Sequence, residues 1–480
     1  MIGRALLAGS AVVLAAPVFG QAPAAPQADR TAPVQGNAIL DRLNELEAKV
    51  QRLEARNRLL ETQAAETATR VEKVEVRAAK GVQPGVAPTF GDVAERFSFH
   101  PRGTVQIDYA AYHSRAGGYD FNDGTDIRRA RFGFDGTAFT IFKYRVEAEF
   151  VKNTTNLLDA YIQYVGIPGL AITIGQQKAP FGLEANSTDA LNTFLERGMV
   201  IDAFGAVGAE RRVGATLAFA PTPAITATVG VFGAGEAVQR TAATAGEVHG
   251  VNGRITWEPI LEPGRVLHLG TSAYHVSNFA AKTITLGDRP NSRVDGGNIE
   301  LISVGPITGA AAAADQTRGV RSATFFGGEA AGIYGPFSVQ GEYGRLHVDR
   351  YGLVPDLDFS GFYGFATFFL TGESRAFRAG VIDRVKPFHD FDYRTGHWGA
   401  FEVAFRYDRL DLGDAALSPL SHQATSLTGG LNWYLNPNVR TIFNYIRFRG
   451  TNSALTAAPV AVNGTRAEGD AYAMRMQLDF

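Results

Sequence analysis

From about residue 103 onward, apolar and polar residues alternate with a period of two. Val105, Ile107 and Tyr109 share one face of the first such run, and Thr104, Gln106 and Asp108 share the other. Between Lys143 and Phe150, the residues Tyr144, Val146, Ala148 and Phe150 alternate with Lys143, Arg145, Glu147 and Glu149. In a later run, Phe401, Val403, Phe405 and Tyr407 alternate with Glu402, Ala404, Arg406 and Asp408. Successive side chains of a strand point to opposite faces, so each run predicts a strand with one apolar and one polar face. Sixteen such strands are expected, at 103–113, 127–136, 140–151, 157–166, 170–178, 211–220, 224–234, 249–258, 265–277, 322–333, 336–348, 359–371, 398–410, 423–434, 438–449 and 470–480. About ten residues suffice for a tilted strand to cross a bilayer. The joins after even-numbered strands are mostly tight. Those after odd-numbered strands are mostly longer and include 179–210 and 278–321. The join 372–397 is long but falls on the tight side.

The period is different before residue 81. Leu43, Val50, Asn57, Ala64, Val71 and Ala78 form one series of a heptad, and Leu46, Leu53, Leu60, Thr67 and Val74 form the other. This pattern predicts a coiled coil over 37–80, with Lys49 and Arg56 placed to pair with Glu54 and Glu61 of a neighbouring helix. Segments 21–36, rich in Ala and Pro, and 81–96, which opens with GVQPGVAP, read as linkers. Residues 1–20 carry Arg4, an apolar stretch too short to span a bilayer and a small-residue end, the pattern of a secretory signal peptide.

Alternation alone does not separate a soluble sandwich from a membrane barrel. Composition and position favour the barrel. The chain has 480 residues with 54 Gly, 32 Phe and 16 Tyr, and no cysteine, which excludes disulfides and thiolate metal sites. Large aromatics such as Trp257, Trp433, Tyr434 and Phe448 fall near strand ends, and charges recur on the polar face. The last strand ends in Phe480 after Tyr472, Met474, Met476 and Leu478, as in the insertion signal read by the barrel-insertion machinery of bacterial outer membranes. The expected fold is an all-β transmembrane β-barrel of about 16 antiparallel strands over 97–480, preceded by a helical coiled-coil segment in the periplasm. A net charge of −2 gives no sign of a nucleic-acid partner.

Seven stretches, in order, resemble the phosphate-selective porins O and P. They are Arg128–Gly136 (RRARFGFDG), Leu158–Tyr164 (LDAYIQY), Ile174–Glu184 (IGQQKAPFGLE), Thr193–Arg197 (TFLER), Leu370–Arg375 (LTGESR), Gly399–Leu412 (GAFEVAFRYDRLDL) and Leu427–Arg440 (LTGGLNWYLNPNVR). The resemblance implies a sixteen-stranded, trimeric outer-membrane channel narrowed by inward-folded loops. It also implies a periplasmic segment folded into the barrel. Here that segment would be 372–397, with Arg375, Arg378, Arg384, Lys386 and Arg394.

A channel needs a wet pore, a constriction and a charge pattern, and no catalyst or cofactor. Strand phase assigns Arg129, Arg131, Lys143, Arg145, Arg212, Arg254, Arg406, Arg440 and Arg475 to the lumen face, where they line a pore or pair with wall carboxylates such as Glu147, Asp159 and Asp408. The constriction candidate is 179–210, with Lys178 at its entry and Ser187, Thr188 and Arg197 as donors to an oxyanion. That segment is acidic, carrying Glu184, Asp189, Glu196, Asp202 and Glu210 against Arg197. Ala185 stands where the resemblance implies a lysine. The expected solutes are small inorganic anions, phosphate among them. The alternatives are a general porin and an envelope tether acting through its coiled coil. The histidines are scattered, and no metal site is expected.

Overall fold

A computed structural model describes residues 42, 44–56, 90–91, 96–116, 121–233, 248–277, 279, 283–295, 301–307, 319–352, 354–417, 421–451 and 466–480. The chain divides into two units, 1–77 and 78–480. In the first, residues 44–56 form a helix, α1, on which Leu46, Val50 and Leu53 are 54%, 51% and 55% exposed. These apolar residues are the described part of the expected heptad seam. The rest of 37–80 lies outside the described residues, as do the signal peptide 1–20 and the linker 21–36.

The second unit is a closed sheet. Its first strand is a two-residue piece, β1 (Phe90–Gly91), inside the expected linker; it pairs Phe90 with Phe99 at the foot of β2. The ring itself begins with β2 (Ser98–Ala116), β3 (Gly124–Ala138), β4 (Phe142–Val151), β5 (Thr154–Ile167), β6 (Leu170–Lys178), β7 (Arg211–Thr222) and β8 (Ile225–Phe232). It continues with β9 (His249–Glu262), β10 (Arg265–Ser277), β13 (Val320–Tyr334), β14 (Phe337–Arg350) and β15 (Leu357–Phe369). The last four strands are β18 (Ala400–Asp411), β19 (Gln423–Tyr434), β20 (Val439–Thr451) and β21 (Arg466–Asp479). Each pairs antiparallel with the next, and β21 pairs back onto β2, so sixteen strands form a ring without an edge. A hydrocarbon environment requires this closure, because no water is there to satisfy free backbone groups. Two small hairpins lie outside the ring: β11 (Ile284–Asp288) with β12 (Ile302–Ile307), and β16 (Ala376–Arg378) with β17 (Val381–Asp383).

The alternating faces separate as expected. Ile107, Phe132, Ile162, Ile174, Val231, Ile255 and Phe405 project from the outer face and are at least half exposed, a coat suited to lipid. Gln106, Asp108, Glu147, Asp159, Glu402 and Asp408 are buried on the inner face. The pattern departs from expectation at two places. The join between β4 and β5 is only Lys152–Asn153, both with positive φ, so one join on the long side is as tight as those opposite. The inward residues near the long-loop ends of β13–β15 are apolar (Ala323, Phe325, Leu346, Val348, Leu357 and Phe359), because protein covers them in place of water.

The seam is closed at the C-terminus. The backbones of Gly103 and Phe480 exchange two hydrogen bonds of 3.0 Å each, and the Phe480 ring lies where a Cβ on Gly103 would stand, 2.6 Å from its nearest atom. Gly175 of β6 has φ +132°, and a Cβ there would meet the Ala160 carbonyl oxygen at 2.2 Å. Gly175→Val is therefore expected to destabilise the barrel by about 1–3 kcal/mol. Heat-modifiable migration on gels should show the loss of folded protein, and an unchanged unfolding temperature would refute the clash.

Candidate functional site

The segment between β6 and β7 carries two helices, α2 (Leu183–Asn186) and α3 (Met199–Gly208), with a 3-10 turn at Asp189–Leu191 between them. Strands all round the ring hold it. Asn252 of β9 donates to the Gly208 carbonyl (3.0 Å), and Tyr274 of β10 to that of Phe204 (2.6 Å). Glu342 of β14 accepts the backbone N–H groups of Leu183 and Glu184, both at 2.8 Å. Asp408 of β18 accepts that of Met199 (3.2 Å). Asn432 of β19 donates to the Thr193 carbonyl (3.0 Å), Arg440 of β20 to that of Asn192 (2.7 Å), and Arg475 of β21 to that of Leu195. A segment touched from every side of a closed ring lies inside it.

Helix α3 is buried almost throughout and packs on β10, β13, β14, β15 and β18. Phe181, Phe204, Tyr274 and Phe325 form an aromatic cluster beneath it, with Phe181 and Phe325 4.7 Å apart. The β11 end of the 278–319 join covers α3 from the long-loop side, and Asn291 reaches down to Asp408 (3.0 Å). From the short-turn side, the hairpin β16–β17 of 370–399 enters the ring. Phe377 lies against His268 with ring centroids 4.9 Å apart, Arg254 donates to the Gly380 carbonyl (2.7 Å), and the Ile382 N–H reaches the Ser187 hydroxyl (3.2 Å). One side of the lumen is thereby filled.

Open space remains along β2–β7. A cavity of about 290 Å3 toward the long loops is lined by Arg128, Arg129, Arg131, Lys178, Arg197 and Arg211 with Asp189, Asp202 and Glu210. A second, of about 220 Å3 toward the short turns, is lined by Arg102, Arg131, Arg145, Lys178 and Arg211 with Glu147, Asp159, Thr188 and Asp189. Arg131, Lys178, Asp189 and Arg211 border both, so these four surround the point where the cavities adjoin.

The predicted site residues fall into several groups. Arg129, Arg131, Arg145, Lys178, Thr188 and Arg197 line the cavities. Arg406, Arg440 and Arg475 instead lie buried under the segment, because they are engaged in holding it. Arg475 binds Asp108 through two nitrogens at 2.7 Å each and reaches Glu196 at 2.9 Å. Arg406 donates to the Glu196 carbonyl (2.8 Å) and stacks over Phe194, 4.6 Å from the ring centre. Arg212 donates to the Val207 carbonyl (2.8 Å), and Arg254 is paired with Glu329. The Ser187 hydroxyl donates to the Leu183 carbonyl (2.9 Å) and is buried away from the cavities. Lys143, Arg378, Lys386 and Arg394 are exposed, Arg375 stacks over Phe365 (5.3 Å), and Arg384 pairs with Asp479.

Four arginines escape the phase argument. Arg128 is the extra residue of a bulge opposite Gln106–Ile107, which turns it inward beside Arg129; it grips Glu196 at 2.7 and 2.9 Å. Arg102 and Arg211 stand at strand ends, Arg102 just outside the expected start of its strand. Arg293, in the join 278–319, bridges Glu196 (3.4 Å), Asp202 (2.6 Å) and Asp288 (3.2 Å).

These pairs account for the acidic constriction segment. Burial pushes the Glu196 carboxyl up, but Arg128, Arg475 and Arg129 together hold it well below the usual carboxylate range. Burial pushes Glu184 up to about 8, against Arg406, so at neutral pH it is largely uncharged. Glu196 and Asp189 thus fasten the segment to arginines of the wall, and Asp202 pairs with Arg197 and Arg293. Arg475→Leu leaves Asp108 buried and unpaired, a change expected to cost about 3–5 kcal/mol. The expected result is a lower unfolding temperature and a larger, noisier current in planar bilayers. A variant matching the native protein in both would show that Arg475 does not anchor the segment.

Residues 99–480 match the family model for the phosphate-selective porins O and P. Porin O of Pseudomonas aeruginosa is 26% identical over 418 residues, covering 80% of this chain and 89% of that protein. An uncharacterised protein of Caulobacter vibrioides is 26% identical over 394 residues, covering 80% of this chain and 74% of its own length. Among solved structures, an anion-selective porin from Comamonas acidovorans superposes with a TM-score of 0.50 at 14% identity, over 80% of this chain and 100% of that one, a likeness of fold alone. The family match spans most of the chain and coincides with the closed ring of strands: the protein belongs to the phosphate-selective porin O and P family and is a β-barrel porin of the bacterial outer membrane, not an enzyme.

Proposed function

We propose that this porin passes small inorganic anions, phosphate among them, by passive diffusion through the two cavities along β2–β7. The observation that carries this reading is the charge around them: eight cations, Arg102, Arg128, Arg129, Arg131, Arg145, Lys178, Arg197 and Arg211, against five carboxylates, Glu147, Asp159, Asp189, Asp202 and Glu210. An anion entering from either end meets guanidinium groups at successive depths. Each of these cations already has a carboxylate partner on the wall or the inward segment, as Arg145 and Arg211 share Asp159 at 3.8 and 2.8 Å. Sharing keeps each site weak, and weak successive sites allow conduction where one tight site would trap the ion. The phosphate-selective description of the matching family and the anion-selective title of the Comamonas structure agree with this direction of selectivity. The alternative is a general porin, whose paired charges leave no net preference.

The exposed seam of α1 supports a second element of the proposal, that the helix joins copies of this chain as a coiled coil in the periplasm, within a trimer of the kind the family implies. Deleting 37–80 is then expected to leave conductance intact while weakening assembly or envelope attachment. Unchanged assembly and attachment would refute a role for the helix in either.

Reversal potentials in a KCl gradient test the main reading. The native channel is expected to prefer chloride over potassium, and Arg129→Ala combined with Arg131→Ala to reduce that preference severalfold with the barrel still folded. A native reversal potential of the cation-preferring sign, or one at zero, would refute the anion proposal.

A further inference from the structure

At the long-loop rim, away from the passage, β14 and β15 gather a histidine and three carboxylates on the outer face of the barrel. His347 and Asp349 stand two residues apart on β14 and share the face of the exposed Tyr343 and Arg345, while Leu346 and Val348 alternate with them and are buried on the inner side. Asp358 of β15 lies opposite His347 in the register, and Asp356 ends the join between the two strands.

The imidazole is oriented by its neighbours. Nδ1 lies 3.1 Å from Asp358 Oδ1. An ionised carboxylate only accepts, so this bond places the proton on Nδ1 and leaves the Nε2 lone pair free. Nε2 faces Asp349 Oδ1 at 3.6 Å and Asp356 Oδ2 at 4.0 Å. Both separations are too long for hydrogen bonds. They lie nearer the edge of a ligand tetrahedron, roughly 3.3–3.5 Å when each ligand stands about 2.0–2.1 Å from a zinc ion. The three ligand atoms are within 4.8 Å of one another. The two carboxylates are themselves held from outside the group. The Arg350 N–H donates to Asp356 Oδ1 at 2.8 Å, and the Ser322 hydroxyl donates to Asp349 Oδ2. Arg350 Nε also donates to the Pro355 carbonyl (2.6 Å), which pins the join that carries Asp356. The remaining oxygen of each carboxylate is the one turned toward Nε2. Arg321 shares Asp349 Oδ1 at 3.2 Å, but its side chain is 57% exposed and is free to turn to solvent.

We propose that His347 Nε2, Asp349 Oδ1 and Asp356 Oδ2 are three ligands of a divalent metal ion of the zinc class, with Asp358 orienting the histidine. An imidazole among the ligands favours zinc over calcium or magnesium, which take shells of oxygen. A carboxylate on the far nitrogen of a ligating histidine fixes its tautomer and ring plane and raises its basicity. Three protein ligands leave one coordination position for water or an outside donor. Bound there, the ion ties the 351–356 join to β14 on the face turned from the lumen, so this inference is independent of the anion-channel reading. The spacing of the histidines does not announce the site, because its ligands meet only through the β14–β15 pairing.

The test is calorimetric titration of the purified full-length protein with zinc chloride, after a chelator wash. One ion per chain is expected, with binding retained in equimolar calcium. His347→Ala and Asp356→Asn should each weaken binding about 100-fold or more, and Asp358→Asn, which removes no ligand, by about 10–100-fold. His389→Ala, at the stacked pair His389 and His397 of the join on the short-turn side, should change nothing. Absence of saturable zinc binding, displacement of zinc by equimolar calcium, or a loss in His389→Ala with none in His347→Ala would each overturn the proposal. Heat-modifiable migration shows whether each variant is a folded barrel, and Asp356→Asn reads the same quantity should His347→Ala fail to insert.

Discussion

A closed ladder of backbone hydrogen bonds is the constraint on which the rest of this molecule depends. Sixteen strands can stand in hydrocarbon only if the last pairs with the first, and here β21 does so along its length, with Phe480 completing the seam at Gly103. Closure fixes the register, and the register fixes which residues face lipid and which face the lumen. Every inward polar group must then find water or a protein partner, because an unmatched buried charge is costly. The chain meets this demand differently on its two sides. Along β10–β15 the inner face is apolar near the long loops and is packed against α3. Along β2–β7 it is polar and remains open.

Charge pairing follows from that division. The inward segment is acidic and the wall around it is rich in arginine, so each supplies the partner the other lacks. Glu196 gathers Arg128, Arg293 and Arg475, and Asp189 gathers Arg129, Arg131, Lys178 and Arg197. Planar guanidinium groups suit this arrangement, because one arginine can hold a carboxylate and a carbonyl at once, as Arg475 holds Asp108 and Leu195. The cations left facing the cavities are those whose partners are shared, and their surplus is what gives the passage its proposed preference for anions.

Much of this is legible in the sequence. The period-two runs mark all sixteen ring strands, and three of them, at 170–178, 265–277 and 423–434, coincide with the observed bounds. The joins 179–210, 278–321 and 372–397 stand out by length, and the first and last of these enter the ring. What the sequence hides is partnership. Strand phase puts Arg406, Arg440 and Arg475 on the inner face but does not say that backbone carbonyls of a segment some 210–280 residues away in sequence will cover them. Arg128 is hidden by a bulge, which shifts phase by one residue without any glycine to announce it. A formal charge of −4 for the constriction segment misleads for the same reason, since a sum over sequence ignores both the arginines opposite and the burial that neutralises Glu184.

On the proposed reading the open passage runs along β2–β7 and is cationic, while the β18–β20 side is covered. The absence of cysteine makes single-site thiol labelling clean. Thr188 is exposed at the second cavity, and Thr428 is buried on the inner face of β19. Each is replaced by cysteine and treated, during current recording, with methanethiosulfonates of equal size bearing either a sulfonate or a trimethylammonium group. Thr188→Cys is expected to be modified, faster by the sulfonate reagent, and Thr428→Cys to remain unmodified. Equal modification at the two positions, or faster reaction of Thr188→Cys with the trimethylammonium reagent, would contradict it.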